Sequence, residues 1–292
     1  MLSANQLKKT LKRILPAPLV DIVQSARAHR HSPNPLVLKA KDDFEALNRD
    51  LRAEQIAMRP DLIWTVDPQS KDPFSWFCYR SPEMVGELDL FLKLRVSRSR
   101  FIDIGANHGV YSLAFTFGRP GTKALALDPS PLAFPILQRN IQLNPECDIT
   151  PLQIAAGSAP GDLRMKLNWH HLEVIADQTA AESEQVKIVP VRTVDSLCEE
   201  LNFHPDLIKV DVEGHELACL QGMDKILRHQ RTEFFLEIHP ELIEPLGYRL
   251  DDITTYLRGL DYKFWSLGGE QRSASWFNDQ IHTFWLLCRP SN

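Results

Sequence analysis

From Arg100 onward, short apolar segments alternate with stretches of helical spacing. This rhythm narrows the fold more than any other feature of the 292-residue chain. The apolar segments are FIDI (101–104), KALALD (123–128), ITPLQIAA (149–156), LRMKLN (163–168), VKIVPV (186–191), LIKVDV (207–212), FFLEI (234–238), KFWSL (263–267) and HTFWLLC (282–288). Helical stretches fall at 109–118, 131–143, 193–201 and 214–228. Short apolar strands without strict alternation are buried on both faces, so the pattern predicts an α/β fold with a parallel sheet between layers of helices. The last two segments are joined without a long helix, which predicts an antiparallel hairpin at the sheet edge.

Upstream the pattern is different, and it divides the chain into an N-terminal extension (1–80) and a main domain (81–292). Residues 1–30 carry Lys8, Lys9, Lys12, Arg13, Arg27 and Arg30 against Asp21, with Leu7, Leu11, Ile14 and Leu15 interspersed. Pro16 and Pro18 split them into two short amphipathic helices. Such a pair either packs on the main domain or rests its basic face on an anionic membrane or a partner. HSPNP (31–35) reads as a turn, 39–58 as a charged helix, and 60–80 as strand and loop. Ser81-Pro82, with an acidic first turn, opens a helix.

A net charge of −5 argues against a nucleic-acid partner held by bulk charge. Five dispersed cysteines without a C-x-x-C read as reduced thiols. No run reaches the length of a membrane span, and the N-terminus lacks the pattern of a signal peptide. The expected location is cytoplasmic, with the inner face of the membrane as the place where the basic helices would act.

FIDIGANHGVYSL (101–113) joins the first core strand to a helix through glycines. In a doubly wound sheet that turn lies where ligands bind. Gly105 and Gly109 allow close backbone approach. The G-x-G-x-x-G of dinucleotide sites and the G-K-[ST] of phosphate loops are both missing. Asp103 would repel a pyrophosphate and suits an amino group, which favours S-adenosylmethionine. Asp128 ends the second strand, where an acid accepts hydrogen bonds from ribose hydroxyls. LIKVDVEGHELACLQGM (207–223) delivers Asp211, Glu213 and Glu216, and FFLEIHPEL (234–242) delivers Glu237 and His239. Adjacent parallel strands would bring Asp211, Glu237 and His239 together as an acid/base set. Carboxylates and imidazole are also divalent-cation ligands, yet no close spacing such as H-x-x-x-H occurs, so no metal is expected.

FIDIGANHGVYSL, LALDPSP followed by RNIQLN, and above all IKVDVEGHE with FLEIHP resemble the FkbM-type methyltransferases over residues 80–290. The resemblance implies a class I Rossmann-like fold with a seven-stranded, mostly parallel sheet and a terminal antiparallel hairpin. It also implies S-adenosylmethionine-dependent O-methylation of hydroxyls on sugars or natural products, so the expected partner is a small-molecule or glycan acceptor. By the same resemblance, Asp103, Gly105, Ala106, Asn107 and Gly109 line the methionine end of the cofactor. Asp128, Pro129 and Ser130 hold the ribose, and Asp211 and Glu213 fall on the DVEG segment. The chain departs from the family in having Asp rather than Glu at 128 and Ser158 after the third strand. NWHHLEVIADQTAAESEQ (168–185) is expected to be a loop over the cofactor, with Trp169, His170 and His171 meeting the acceptor. Two other functions compete: an NAD-dependent oxidoreductase on the same fold, and a non-catalytic cofactor-binding module.

Overall fold

The computed structural model describes residues 34–291 apart from 169, 170, 176–178, 180 and 184. The basic segment 1–30 and its expected helices lie outside the described residues. The elements run α1 (Pro35–Asn48), β1 (Gln55–Arg59), β2 (Leu62–Thr65), α2 (Lys71–Tyr79), α3 (Pro82–Leu94), β3 (Arg100–Ile104), α4 (Val110–Thr116), β4 (Lys123–Leu127) and α5 (Ala133–Leu143). They continue with β5 (Ile149–Leu152), β6 (Ala155–Ala156), β7 (Gly161–Asn168), β8 (His171–Val174), β9 (Val186–Arg192), α6 (Val194–Leu201), β10 (Leu207–Val210) and α7 (Glu216–Gln221). The last are β11 (Glu233–Ile238), α8 (Pro240–Ile243), α9 (Leu250–Gly259), β12 (Tyr262–Trp265), β13 (Gln271–Arg272), α10 (Ala274–Asn278) and β14 (Phe284–Pro290).

The main sheet has eight strands in the order β13-β12-β14-β11-β10-β3-β4-β5. β11, β10, β3, β4 and β5 are mutually parallel. β14 runs against both of its neighbours, β11 and β12. The expected hairpin therefore forms as a β12–β14 pair, but β14 is inserted inside the sheet, and the two-residue β13 makes the edge. Segments 155–156, 161–168 and 186–192 leave this sheet and form a second one with β8, in the order β6-β9-β7-β8. β8 falls in the stretch expected to be a loop.

The two faces of the main sheet differ. Ile102, Ile104, Ile208, Val210, Phe234, Leu236 and Ile238 point into one apolar layer with the C-terminal helices. Phe101, Leu207 and Phe235 point to the other, beneath α3 and α4. Side chains alternate along a strand, so Asp103, Lys209 and Glu237 share this second face. It is apolar at the start of the strands and charged at their carboxyl ends.

Among the described residues, side chains from before and after residue 80 pack together. Ile56, Met58, Leu62, Trp64, Phe74 and Cys78 are buried in the same cluster as Phe101 and Phe115. Residues 71–79 form a helix rather than a loop. Pro73 sits in its first turn, where a missing N–H costs nothing, and Phe74 and Cys78 face inward one turn apart. The expected helix at 39–58 starts earlier and ends earlier. Asn34 caps it by accepting the Leu36 N–H at 2.9 Å, and the chain then turns into β1. Ser81 caps α3 as its sequence predicts, accepting the Met84 N–H at 3.2 Å.

Candidate active site

The turn after β3 is built by backbone approach. Gly105, Asn107 and Gly109 all have positive φ, at 81°, 50° and 90°. The Gly105 and Ala106 amides donate to the Leu127 carbonyl at 2.9 and 3.0 Å, which ties the turn to β4. A Cβ on Gly105 would lie 1.8 Å from the Asp211 carbonyl oxygen. Left-handed strain alone costs about 1–3 kcal/mol, and the clash adds to it. Gly105→Ala is expected to lower the thermal midpoint by about 5 °C or more, read by calorimetry. An unchanged midpoint would show that the Asp211 backbone yields freely.

Asp128 follows β4 and accepts two amide hydrogen bonds. The Asn107 N–H donates to Oδ2 at 2.7 Å and the Ser130 N–H to Oδ1 at 2.8 Å. Burial pushes its carboxyl up to about 7, against the two amides, which favour the charged form. A carboxylate has about four acceptor positions, so two stay open for a ligand's hydroxyls. Ser130 Oγ accepts from the Leu132 and Ala133 amides and so starts α5.

A cleft of about 680 Å³, counted to its open mouth, begins at this turn. Gly105, Asn107, Asp128, Pro129 and Ser130 line it at one side, Asp211 and Glu213 at the other. The second sheet closes it with Leu163, Met165 and Val174. Among the described residues that line it there is no Lys or Arg. His215 also lines it, and burial lowers its ring below the usual histidine value.

Three expected cofactor residues do not line this cleft. Asp103 is buried beneath the turn, where Ser112 donates to its Oδ2 from both N–H (3.1 Å) and Oγ (2.7 Å). Its carboxyl, pushed up to about 6 by burial, pins β3 to α4. Ala106 is buried, with its amide spent on Leu127. Gly109 starts α4, and a Cβ there would meet Leu137 Cδ1 at 2.6 Å, so it is small for packing. The carboxylates that face the cleft are Asp128, Asp211 and Glu213. Trp169 and His170 lie outside the described residues, and His171 is placed only as the start of β8.

At the far side of the cleft, strands β10 and β11 bring Asp211, Glu237 and His239 together, as adjacent parallel strands should. Each of the two acids is approached from two sides. Lys209 Nζ lies 3.0 Å from Asp211 Oδ2 and 3.6 Å from Glu237 Oε2. His239 Nε2 lies 3.9 Å from Asp211 Oδ1 and 3.6 Å from both Glu237 Oε1 and Glu213 Oε2. The other ring nitrogen, Nδ1, is 3.0 Å from Oε1 of the fully buried Glu216, which also takes the Gly214 amide at 3.1 Å.

Burial works against the charged form of His239, but the Glu216 hydrogen bond and the Asp211, Glu213 and Glu237 carboxylates raise it to about 10. Nδ1 is thus engaged by Glu216, while Nε2 faces the Asp211, Glu213 and Glu237 carboxylates. Burial, then the Asp211 charge, lift Glu237 well above the ordinary range. Burial pushes Asp211 upward too, yet the Lys209 ammonium, followed by His239, holds it below that range.

Sequence reasoning missed Lys209, which is 2% exposed, and Glu87 of α3, which accepts the Tyr111 hydroxyl at 2.6 Å. Lys209 also stands 5.0 Å from the centre of the Tyr111 ring. Its signal was a lysine inside the apolar run LIKVDV. A second cavity opens on the outer side of the cluster, lined by Arg80, Glu213, Glu237, His239, Thr283 and Trp285 among others. Glu213 is the residue shared by the two cavities.

The sheet order, with one inverted strand inside it and a cleft at the carboxyl ends of the parallel strands, is that of class I methyltransferases. The methyltransferase FkbM domain matches residues 103–264, and the chain belongs to that family. It is an enzyme that transfers methyl groups. It is 29% identical over 182 residues to methyltransferase sdnD of Sordaria araneosa, covering 51% of this chain and 68% of that protein. It is 32% identical over 143 residues to the hexuronic acid methyltransferase AglP of Haloferax volcanii, covering 47% of this chain and 54% of that protein. The crystal structure of methyltransferase FkbM from Methylobacillus flagellatus aligns with a TM-score of 0.43 at 17% identity, over 86% of this chain and 59% of that one.

Proposed function

We propose that the protein is an S-adenosylmethionine-dependent O-methyltransferase acting on a sugar hydroxyl in a glycan, glycolipid or natural product. The observation that carries this is the cleft's charge: three carboxylates and no Lys or Arg among its described lining residues. A dinucleotide's pyrophosphate would meet only repulsion there. A ligand with a sulfonium, an amino group and a ribose is matched at both ends, by Asp211 and Glu213 on one side and Asp128 on the other. The apolar wall of Leu163, Met165 and Val174 suits an adenine ring. The name of AglP supports a sugar acid as one kind of acceptor.

When bound, the cofactor supplies an electrophilic methyl group on sulfur. The protein's work is then alignment, which is worth roughly 7–11 kcal/mol in favourable cases. The outer cavity offers the acceptor a Trp285 face and the Arg80 guanidinium, and it meets the cleft at Glu213. Glu213, half-buried on the rim of both cavities, would take the acceptor's proton as the acceptor oxygen bonds the methyl carbon and the carbon–sulfur bond breaks to leave a neutral thioether. The basic segment 1–30 would suit an acceptor anchored in an anionic membrane. Among the described residues, no helix is long and apolar enough to cross one.

Calorimetric titration with S-adenosylhomocysteine and with NAD tests the cleft. Binding of the first and not the second is expected, and the reverse would overturn the proposal. Mass spectrometry of fractionated glycans incubated with labelled cofactor would then identify the acceptor.

A further inference from the structure

We propose that Asp211, Glu237 and His239 form a binding site for one divalent cation of the magnesium–manganese class, placed where the two cavities meet. The three residues each present a donor atom, and these atoms all lie within 4.8 Å of one another.

The imidazole points to a ligand independently of the acids. His239 is 7% exposed, and its Nε2 is aimed at three carboxylates from 3.6 to 3.9 Å. Those distances are too long for hydrogen bonds. They match the separation of donors around one small ion, roughly 3–4 Å for bonds of about 2.0–2.2 Å. The other ring nitrogen is fixed by the fully buried Glu216 at 3.0 Å. A carboxylate on the far nitrogen is the usual support of a metal-bound histidine, because it sets tautomer and ring orientation.

Lys209 does not fill the gap. It donates to Oδ2 of Asp211 at 3.0 Å and lies 3.6 Å from Oε2 of Glu237, which leaves Oδ1 and Oε1 turned toward His239. Two carboxylate oxygens and one imidazole suit manganese and magnesium better than soft ions. Three protein donors leave coordination positions open toward the outer cavity. Two neighbouring hydroxyls of a sugar would fill two of them, which places one oxygen beside Glu213. This role in holding the acceptor rests on the proposed function; the ion site does not.

The test uses the full chain, stripped with chelator and titrated with manganese(II), with free ion followed by electron paramagnetic resonance. One bound ion per chain is expected, displaceable by magnesium, and electron spin-echo modulation should show an imidazole nitrogen on it. Glu216→Gln should weaken the ion about 10–100-fold without changing S-adenosylhomocysteine affinity. Glu237→Ala and His239→Ala should lose the ion. Absence of saturable manganese binding, or bound manganese with no nitrogen coupling, would overturn the site whatever the variants do. Ion binding without S-adenosylhomocysteine binding would overturn the proposed function and leave the site standing.

Discussion

Asp128→Asn is expected to weaken S-adenosylhomocysteine binding on the order of a hundredfold and to flatten its dependence on pH. The carboxylate accepts the Asn107 and Ser130 amides and so joins the glycine turn to the turn after β4. Hydrogen bonds to a charged group are worth about 1.5–3 kcal/mol each. An asparagine keeps one acceptor and turns an NH₂ against the second amide. It also loses an acceptor for the ribose. The sign of the pH effect follows from burial, which lifts this carboxyl to about 7. Above that pH the acceptor form dominates and affinity is level. Below it, each pH unit costs the wild type roughly a factor of ten, while the variant has no charge to lose. Titration calorimetry from pH 5.5 to 8.5 checks both parts. Equal affinity of the two proteins at pH 8 would remove Asp128 from the binding machinery.

Lys209→Met should destabilise the fold by about 3–5 kcal/mol, the usual cost of removing one partner from a buried ion cluster. Lys209 is the cation on which Asp211, Glu237, Glu87 and Asp103 all act, and these acids hold it charged against its burial. The methionine would fill the space beside Tyr111 but leave the acids facing each other in an apolar layer. Guanidinium unfolding measures the loss. A change within about 1 kcal/mol would mean that protonation of the acids had absorbed it. Glu87→Gln in the same chain should recover part of the stability, since it removes one of the facing charges.

Much of this architecture was legible because it depends on period and order along the chain. Apolar segments separated by helical spacing marked β3, β4, β5, β10 and β11 as parallel, although 161–168 and 186–192 pair antiparallel in a second sheet, and adjacency of the fourth and fifth core strands brought Asp211 to His239. What stayed hidden depends on partners far apart in sequence. The place of Asp103 in FIDIGANHG did not show that Ser112, in the first turn of α4, donates to its carboxylate from both N–H and Oγ. Lys209 looked like an interruption of an apolar strand until Glu87, from a helix more than a hundred residues earlier, came to lie near it. The helix at 71–79 was masked by Pro73, which breaks helices everywhere except in their first turn. The place of β14 was hidden too, since antiparallel pairing with β12 is satisfied equally at the edge and inside the sheet.

That inserted strand also bears on the order in which the fold is completed. β14 comes after every strand it joins, yet it occupies a central slot between β11 and β12. While the chain leaves the ribosome, β11 has an open edge, and Tyr262 and Phe264 have no sheet to cover. They can be secured only once residues 284–290 arrive, across a sequence gap of about fifty residues from β11. The sheet is thus closed by a keystone rather than extended by an outer course. The contacts of β14 form last, and a nascent chain halted before them carries two unpaired strand edges into a crowded cell.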